Sequence, residues 1–406
     1  MIVRRLWAHA AVLLIVAGCA APKPAPAPTP APPTPTATSD TSERSFDEAV
    51  IVATDALVAQ MPKRPGATKA DAKLGVVIDP MVDAASGQQT EATRLLEKKV
   101  VERLHSTDSQ LEVMPFQVAS LSQAQYLLTG TMTRVASSQP GGGQAFQIDL
   151  ALTDLKTGMV AAQASARARE EGVDTNPTPY YRDSPILVKD KVVDGYISTS
   201  KMPPGQPADS GYFEHVATAT SISEATRAYD NASYQDALTL YQEAAAKPGG
   251  EQLRVLNGIY LASWKLRRTR EAEDAFGKVV ALGLSDNNLG VKFLFNPNTT
   301  NFWSDPQVSG PYAFWLRQIA RQTVLARACL NVVGHTSRTG SVPYNDRLSL
   351  QRAVYIKQRL EREAPQLGPR TRAAGMGFRE NLVGTGTDDA RDALDRRVEF
   401  KVIECS

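Results

Sequence analysis

Gly334-His335-Thr336-Ser337 is followed at short spacings by Tyr344-Asn345, Leu348-Ser349, Arg352-Ala353 and, further on, Asp395-Arg396-Arg397-Val398. Around these residues the apolar pattern switches between two periods. Val291-Lys292-Phe293-Leu294-Phe295-Asn296, Leu330 to Gly334, Arg372 to Gly377 and Arg396 to Glu404 read as strands, being short apolar runs bounded by glycine and polar residues. Tyr312 to Arg327 and Leu348 to Ala364 carry apolar residues at helical spacing. The order expected over 290–406 is βαβαββ, with a loop and a short helix before the last strand. From Tyr312 to Ser406 sixteen Lys/Arg stand against ten Asp/Glu, an excess that suits an anionic polymer or simply a solvated basic surface.

The loop motif and this element order resemble the peptidoglycan-binding domain of the OmpA, Pal and MotB family, over residues 290 to 405. In that family the loop reads Gly-His-Thr-Asp. Its aspartate holds the ammonium of the stem-peptide diaminopimelate, and the arginine of a Leu-Ser-x-x-Arg-Ala segment holds a carboxylate. The resemblance implies that Arg352 is that arginine and that Thr336, Ser337, Asn345, Asp395 and Arg396 belong to the same peptidoglycan site. Two positions depart from the pattern. Ser337 stands where the aspartate is expected, and Asp395 replaces the usual asparagine before the Arg396-Arg397 pair. A serine hydroxyl accepts a hydrogen bond from an ammonium without supplying charge. Charge-assisted hydrogen bonds contribute about 1.5–3 kcal/mol, so binding roughly ten- to hundredfold weaker than in a standard member is expected. Asp395 compensates if its carboxylate reaches the pocket. His335 is expected to pack the loop rather than act as base or ligand. Whether the domain keeps the ligand or only the fold stays open at this point.

The other end of the chain carries a secretory pattern. Arg4 and Arg5 precede a short apolar stretch, Ala10 to Val16, which is too short to span a bilayer. Val16-Ala17-Gly18-Cys19 resembles the lipobox of bacterial lipoproteins. This implies cleavage before Cys19, lipidation of its thiol and acylation (palmitate) of the new N-terminus. Several acyl chains, at about 0.8 kcal/mol per buried methylene, give permanent attachment. Ala20 is not the aspartate that retains lipoproteins in the inner membrane, which implies the outer membrane, facing the periplasm. Residues 20–44 are rich in Pro, Ala, Ser and Thr and hold almost no apolar bulk, so a disordered linker biased to polyproline II is expected. With Cys19 taken by lipid, Cys329 and Cys405 remain, an even number for an oxidising compartment. They form a disulfide if their strands are antiparallel neighbours. Two free buried thiols are the alternative.

Between anchor and wall module, 406 residues leave room for two further folded parts. Over 45–171 strands and helices alternate: Leu74 to Asp79, a helix from Thr90 to His105, Leu111 to Phe116, Gln125 to Met132, Phe146 to Leu152, a turn at Asp154 to Gly158, and Val160 to Ala168. Tyr126-Leu127-Leu128-Thr129-Gly130 before a strand and Thr153-Asp154-Leu155-Lys156-Thr157-Gly158 at a hairpin resemble the α/β domain of CsgG, FlgO and LpoB-type lipoproteins. The LpoB type activates penicillin-binding proteins, which makes regulation of peptidoglycan synthesis the alternative function. Residues 172–220 form a connecting segment, with Ile186-Leu187-Val188 and Val192-Val193 expected to pair as a hairpin. Over 221–285 the period turns helical. Ala237, Tyr241 and Ala244 recur 35 residues later as Ala272, Phe276 and Val279, and Tyr229 as Trp264. This resembles tetratricopeptide repeats, and implies a docking surface for an unidentified protein partner.

The expected architecture is therefore multi-domain, α+β and α/β: an N-terminal α/β sandwich-like domain, a short helical repeat segment and a C-terminal βαβαββ domain. Several function classes are excluded or disfavoured. A net charge of +2 gives no field for nucleic acid. Gly141-Gly142-Gly143 lies between two strands with no helix N-terminus after it, which argues against a phosphate loop. Four histidines, no Gly-x-Ser-x-Gly elbow and no metal-ligand spacing argue against an enzyme, a metal site or a cofactor. The expectation is a non-enzymatic tether between the outer membrane and the peptidoglycan stem peptide.

Overall fold

The computed structural model describes residues 38–61, 73–106, 111–139, 143–287, 289–296, 299–384, 386–387 and 391–405. The signal, Cys19 and the linker up to residue 37 lie outside these residues. No helix among the described residues is long and apolar enough to cross a membrane.

The first part is a seven-stranded sheet of β1 (Thr38–Arg44), β2 (Leu74–Ile78), β3 (Val82–Asp83), β4 (Leu111–Met114), β5 (Tyr126–Ala136), β6 (Gln144–Asp154) and β7 (Val160–Arg169), ordered β1-β7-β6-β5-β2-β4 with β3 beside β5. The last residues of the expected linker are thus not disordered. Thr38–Arg44 adds a parallel edge strand to β7. Helix α1 (Phe46–Ala59) follows at once, started by a capping box in which Ser45 and Glu48 satisfy each other's backbone amides. With α2 (Glu91–Ser106) it covers one face of the sheet. Val76, Ile78, Leu128, Ile148, Leu150 and Leu152 meet Val50, Leu57, Leu96 and Val100 there. Period-2 alternation sends Val77 and Leu127 to the opposite face. The part is therefore a sheet between helical layers.

The connecting segment provides the second layer. After the short α3 (Val118–Leu121) it contains α4 (Pro179–Asp183), α5 (Lys191–Ser200) and α6 (Ser210–Phe213). The expected hairpin is not formed. Val192 and Val193 begin α5, capped by Asp190, whose carboxylate accepts from both amides at 3.1 Å. A capping aspartate outweighs the strand preference of two valines. Ile186 instead bridges to Val291, outside the first sheet. Tyr196 and Tyr212 pack on Val77 and Leu127, and the Tyr196 hydroxyl receives the Gly130 amide at 2.9 Å.

Helices α7 (Val216–Asp230), α8 (Tyr234–Ala245), α9 (Leu253–Lys265) and α10 (Thr269–Ser285) make two helical hairpins. The 35-residue spacing is physical. Ala232 and Arg267 occupy the two tight turns with φ of 60° and 61°. Ala237, Tyr241 and Ala244 are buried, as are Ala272, Phe276 and Val279. A Cβ at Gly258 would lie 2.4 Å from the Tyr241 ring, so glycine is needed where α9 crosses that ring.

The C-terminal part contains β8 (Leu289–Val291), α11 (Pro306–Ser309), α12 (Tyr312–Leu325), β9 (Cys329–Gly334), α13 (Val342–Glu363), β10 (Thr371–Gly375) and β11 (Val398–Ile403). The sheet order is β10-β9-β11-β8, with β9 parallel to β10 and antiparallel to β11. The strand expected over 291–296 is shorter and earlier. Regular pairing ends at Val291, and beyond it Phe293 and Phe295 leave the sheet to stack on Phe302. Ile403 pairs with Cys329, which brings Cys405 within a Cα–Cα distance of 5.3 Å, and the two cysteines form a disulfide. Closing a loop with a sequence separation of 76 contributes about 4 kcal/mol in the chain-entropy account.

The described residues from Thr38 onward form one compact unit. A single apolar core runs from Tyr180 through the helical hairpins to Phe400. Phe276 of α10 stacks on Trp315 of α12 with ring centroids 5.5 Å apart, and the Trp315 indole donates to the Tyr260 hydroxyl at 3.1 Å. Arg94 of α2 pairs with Asp230 of α7, which fixes the first sheet to the helices.

Two consequences are measurable. Trp315→Ala is expected to cost about 3–5 kcal/mol, and to lower the stability of the helical hairpins and the C-terminal sheet together in chemical denaturation. Two separate transitions would mean independent parts. Asp79 is buried and accepts from Tyr212 at 2.7 Å. Burial pushes its carboxyl up to about 6, against the Tyr212 hydrogen bond and Arg254. The raised value means that its contribution to stability is present below about pH 4 and lost as pH rises through about 6. Asp79→Asn is therefore expected to raise the melting temperature near neutral pH and to change it little near pH 4. Equal effects at both would refute this.

Candidate functional site

The loop after β9 and the first turns of α13 meet because small residues let them approach. A Cβ on Gly334 would lie 2.1 Å from the Ser349 carbonyl, and one on Gly375 would lie 2.5 Å from the Leu350 amide. The loop is tied by main-chain bonds from His335 to Arg397 and from Thr336 to Gly377, at 3.0 and 2.9 Å. Asn345, in the first turn of α13, donates to the Thr339 and Ser341 carbonyls at 2.9 and 3.2 Å, so it shapes the loop from inside. Leu348 and Arg352 follow on the same helical face as Asn345.

Thr336, Ser337, Asn345, Arg352 and Arg396 line one cavity of about 760 Å³. Arg352 is 5% exposed. Its guanidinium lies 4.9 Å from the centroid of Phe295 and its Nε donates to the Thr299 carbonyl at 3.4 Å. The cation is thus held in an apolar frame, where its field is strong. Ser337 is also buried, and the Thr336 hydroxyl is buried without a hydrogen-bond partner among the described residues. An unpaired buried hydroxyl in a cavity wall suits a polar ligand atom.

Asp395 is not in this wall. Its carboxylate is fully buried and accepts from the Leu382, Val383 and Gly384 amides at 2.6, 3.0 and 2.7 Å and from Asn381 at 2.9 Å. It therefore cannot stand in for the charge missing at Ser337. The loop it holds has another task, since the Val383 carbonyl receives Arg134 of β5 at 3.1 Å.

His335 is 2% exposed, beside Glu399 at 3.6 Å and Glu380 at 4.0 Å. Three such donors resemble a metal site. Two cations already serve the carboxylates, however. Arg397 contacts Glu399 at 2.5 Å, and Lys401 lies 3.6 Å from Glu399 and 3.7 Å from Glu380. Burial would raise the Glu399 carboxyl, but His335 and Arg397 outweigh it and hold it down at about 2. With its charge compensated, the cluster is an ion-pair network that supports the loop.

The opposite wall of the cavity comes from residues with no motif. Tyr181, Arg182, Asp183 and Ser184 come from α4 and its end, Tyr260, Trp264 and Lys265 from α9, and Lys292 and Trp303 from the segment between β8 and α12. The repeat-equivalent pair Tyr229 and Trp264 both serve it. Trp264 lines the cavity, and the Tyr229 hydroxyl donates to Asp183 at 2.9 Å. Apart from the recurrence of Tyr229 as Trp264, no periodicity or spacing marks these residues as a cavity wall in the sequence. Only the packing of α9 and α10 on α12 brings them here.

No protein-family model and no curated protein matches this chain. Among solved structures it is similar to the peptidoglycan-associated lipoprotein from Burkholderia pseudomallei, at 20% identity, over 27% of this chain and 88% of that one, with a TM-score of 0.24. It is also similar to the cell wall anchor of the T6SS from Pseudomonas aeruginosa, at 24% identity, over 28% and 79%, TM-score 0.24. A third is the periplasmic domain of Helicobacter pylori MotB, at 16% identity, over 29% and 76%, TM-score 0.24. With the likeness limited to under a third of the chain, the cavity's own residues decide what it can hold.

Proposed function

We propose that this protein is a lipoprotein anchored in the outer membrane through Cys19 that binds peptidoglycan non-covalently from the periplasmic side, and so tethers envelope and wall. The observation that carries the reading is the burial of Arg352 in the cavity wall beside Thr336 and Ser337. A cation fixed against Phe295 binds a carboxylate with little loss of side-chain entropy, and the stem peptide is a carboxylate-bearing polymer unit. The Thr336 and Ser337 hydroxyls offer hydrogen bonds to the ligand's amide or ammonium groups. We read the protein as a binder rather than an enzyme. The one carboxylate among the cavity's described residues, Asp183, is occupied by Lys265 at 2.7 Å and by the Tyr229 hydroxyl, which leaves it a poor general base. Protein partners of the helical hairpins belong to the same scaffold reading, with their outer faces as the contact surface.

The test is retention of the full chain on purified sacculi. The whole chain is needed because the C-terminal sheet shares its core with the helical hairpins. Wild type is expected to be retained, Arg352→Ala lost, and Ser337→Asp held more tightly. Unchanged retention of both variants would overturn the site assignment. Stem-peptide analysis of the same incubation is expected to show no cleavage. In cell fractionation, Cys19→Ser is expected to move the protein from the membrane to the soluble periplasmic fraction, and a membrane-bound variant would refute the anchor.

A further inference from the structure

The upstream wall of the cavity has a charge pattern that the Arg352 side does not explain. Arg182, Lys265 and Lys292 lie on it with a single carboxylate among the described residues, Asp183. That carboxylate is already shared, with Lys265 at 2.7 Å and Tyr229 at 2.9 Å on Oδ2 and Arg182 at 3.5 Å on Oδ1. Lys292 has no carboxylate at ion-pair distance among the described residues. Its ammonium donates to the Arg182 carbonyl at 2.8 Å, a neutral acceptor. Burial pushes this ammonium down to about 8, and the guanidiniums of Arg182 and Arg396 push the same way against Asp183. Three donors on Lys292 and one neutral partner leave room for an anion.

The position of Lys292 is fixed by backbone. Its amide donates to the Pro185 carbonyl at 2.7 Å, and the Leu187 amide donates to Gly290 at 3.2 Å. Ile186 bridges to Val291 beside them. The connecting segment and the end of β8 are thus one short ladder, which holds Lys292 and Arg182 together facing the cavity. Trp264 and Trp303 line the same space, Trp303 at 38% exposure on its lip. Aromatic walls reduce water access and strengthen charge–charge contacts inside.

We infer that Lys292, with Arg182 and Lys265, forms a second anion subsite, so that the cavity takes a peptide bearing at least two carboxylates, one at Arg352 and one at Lys292. This rests on the peptidoglycan reading and narrows it. A peptide with a single free carboxylate fills only half of the charge pattern.

Calorimetric titration of the full chain with a synthetic stem peptide carrying two free carboxylates, and with its monoamidated counterparts, tests this. Wild type is expected to prefer the diacid by roughly tenfold or more, the scale of one charge-assisted hydrogen bond. Lys292→Gln is expected to lose that preference, and Lys292→Arg, which keeps the charge, to retain it. If Lys292→Gln keeps both the affinity and the preference while Arg352→Ala abolishes binding, the second subsite is refuted and the peptidoglycan reading stands. If wild type binds neither peptide, or Arg352→Ala binds as wild type does, the peptidoglycan reading fails and the subsite with it.

Discussion

The stack of Phe276 on Trp315, closed by the indole hydrogen bond to Tyr260, joins two parts that the chain order alone would leave side by side. Aromatic side chains of this size bury large apolar areas, and a pair in offset contact adds geometric preference to the burial. Here the contact sets where α9 ends relative to the C-terminal sheet. Trp264 and Lys265, in the last turn of α9, then fall opposite Arg352. Without that contact the C-terminal loop would face solvent with one wall. With it, the loop faces a cavity.

The charges around the cavity follow from where each carboxylate is held. Asp395 stands close in sequence to Arg396, which lines the cavity, but its own carboxylate is buried elsewhere. Its four hydrogen bonds instead organise the 381–384 turn, whose Val383 carbonyl docks Arg134 of the first sheet. A carboxylate accepts several backbone amides at once more strongly than an amide side chain does. Ser337 brings no charge to the cavity, and among the described lining residues the one carboxylate comes from α4, already compensated. Among the described lining residues, cationic side chains therefore outnumber carboxylates.

His335 shows the same economy. It has the look of a catalytic or metal-binding residue, yet Glu399 and Glu380 flank it, and Arg397 and Lys401 balance their charge. Its place is to brace the strand-to-loop transition whose outer side carries Thr336 and Ser337.

Local rules in the sequence determined most of the elements. Alternation in 146–152 and 160–168 gave strands because one side of each faces a helix layer. The 35-residue recurrence became two helical hairpins with matched left-handed turns at Ala232 and Arg267. The Gly334 to Arg352 spacing placed Thr336, Ser337, Asn345 and Arg352 together because strand, loop and helix are contiguous in the chain. The Ser45–Glu48 pair has the spacing of a capping box, and α1 starts there. What local rules could not decide was pairing between distant segments. Thr38–Arg44 becomes a strand only because β7 offers a parallel edge, and Ile186 bridges to Val291 rather than to its own neighbours. The second wall of the cavity is of that kind. Arg182, Lys265 and Lys292 are separated by 83 and 27 residues in a chain with no motif around them. Their meeting depends on which surfaces bury the most apolar area, a property of the assembled core and not of any one stretch of sequence.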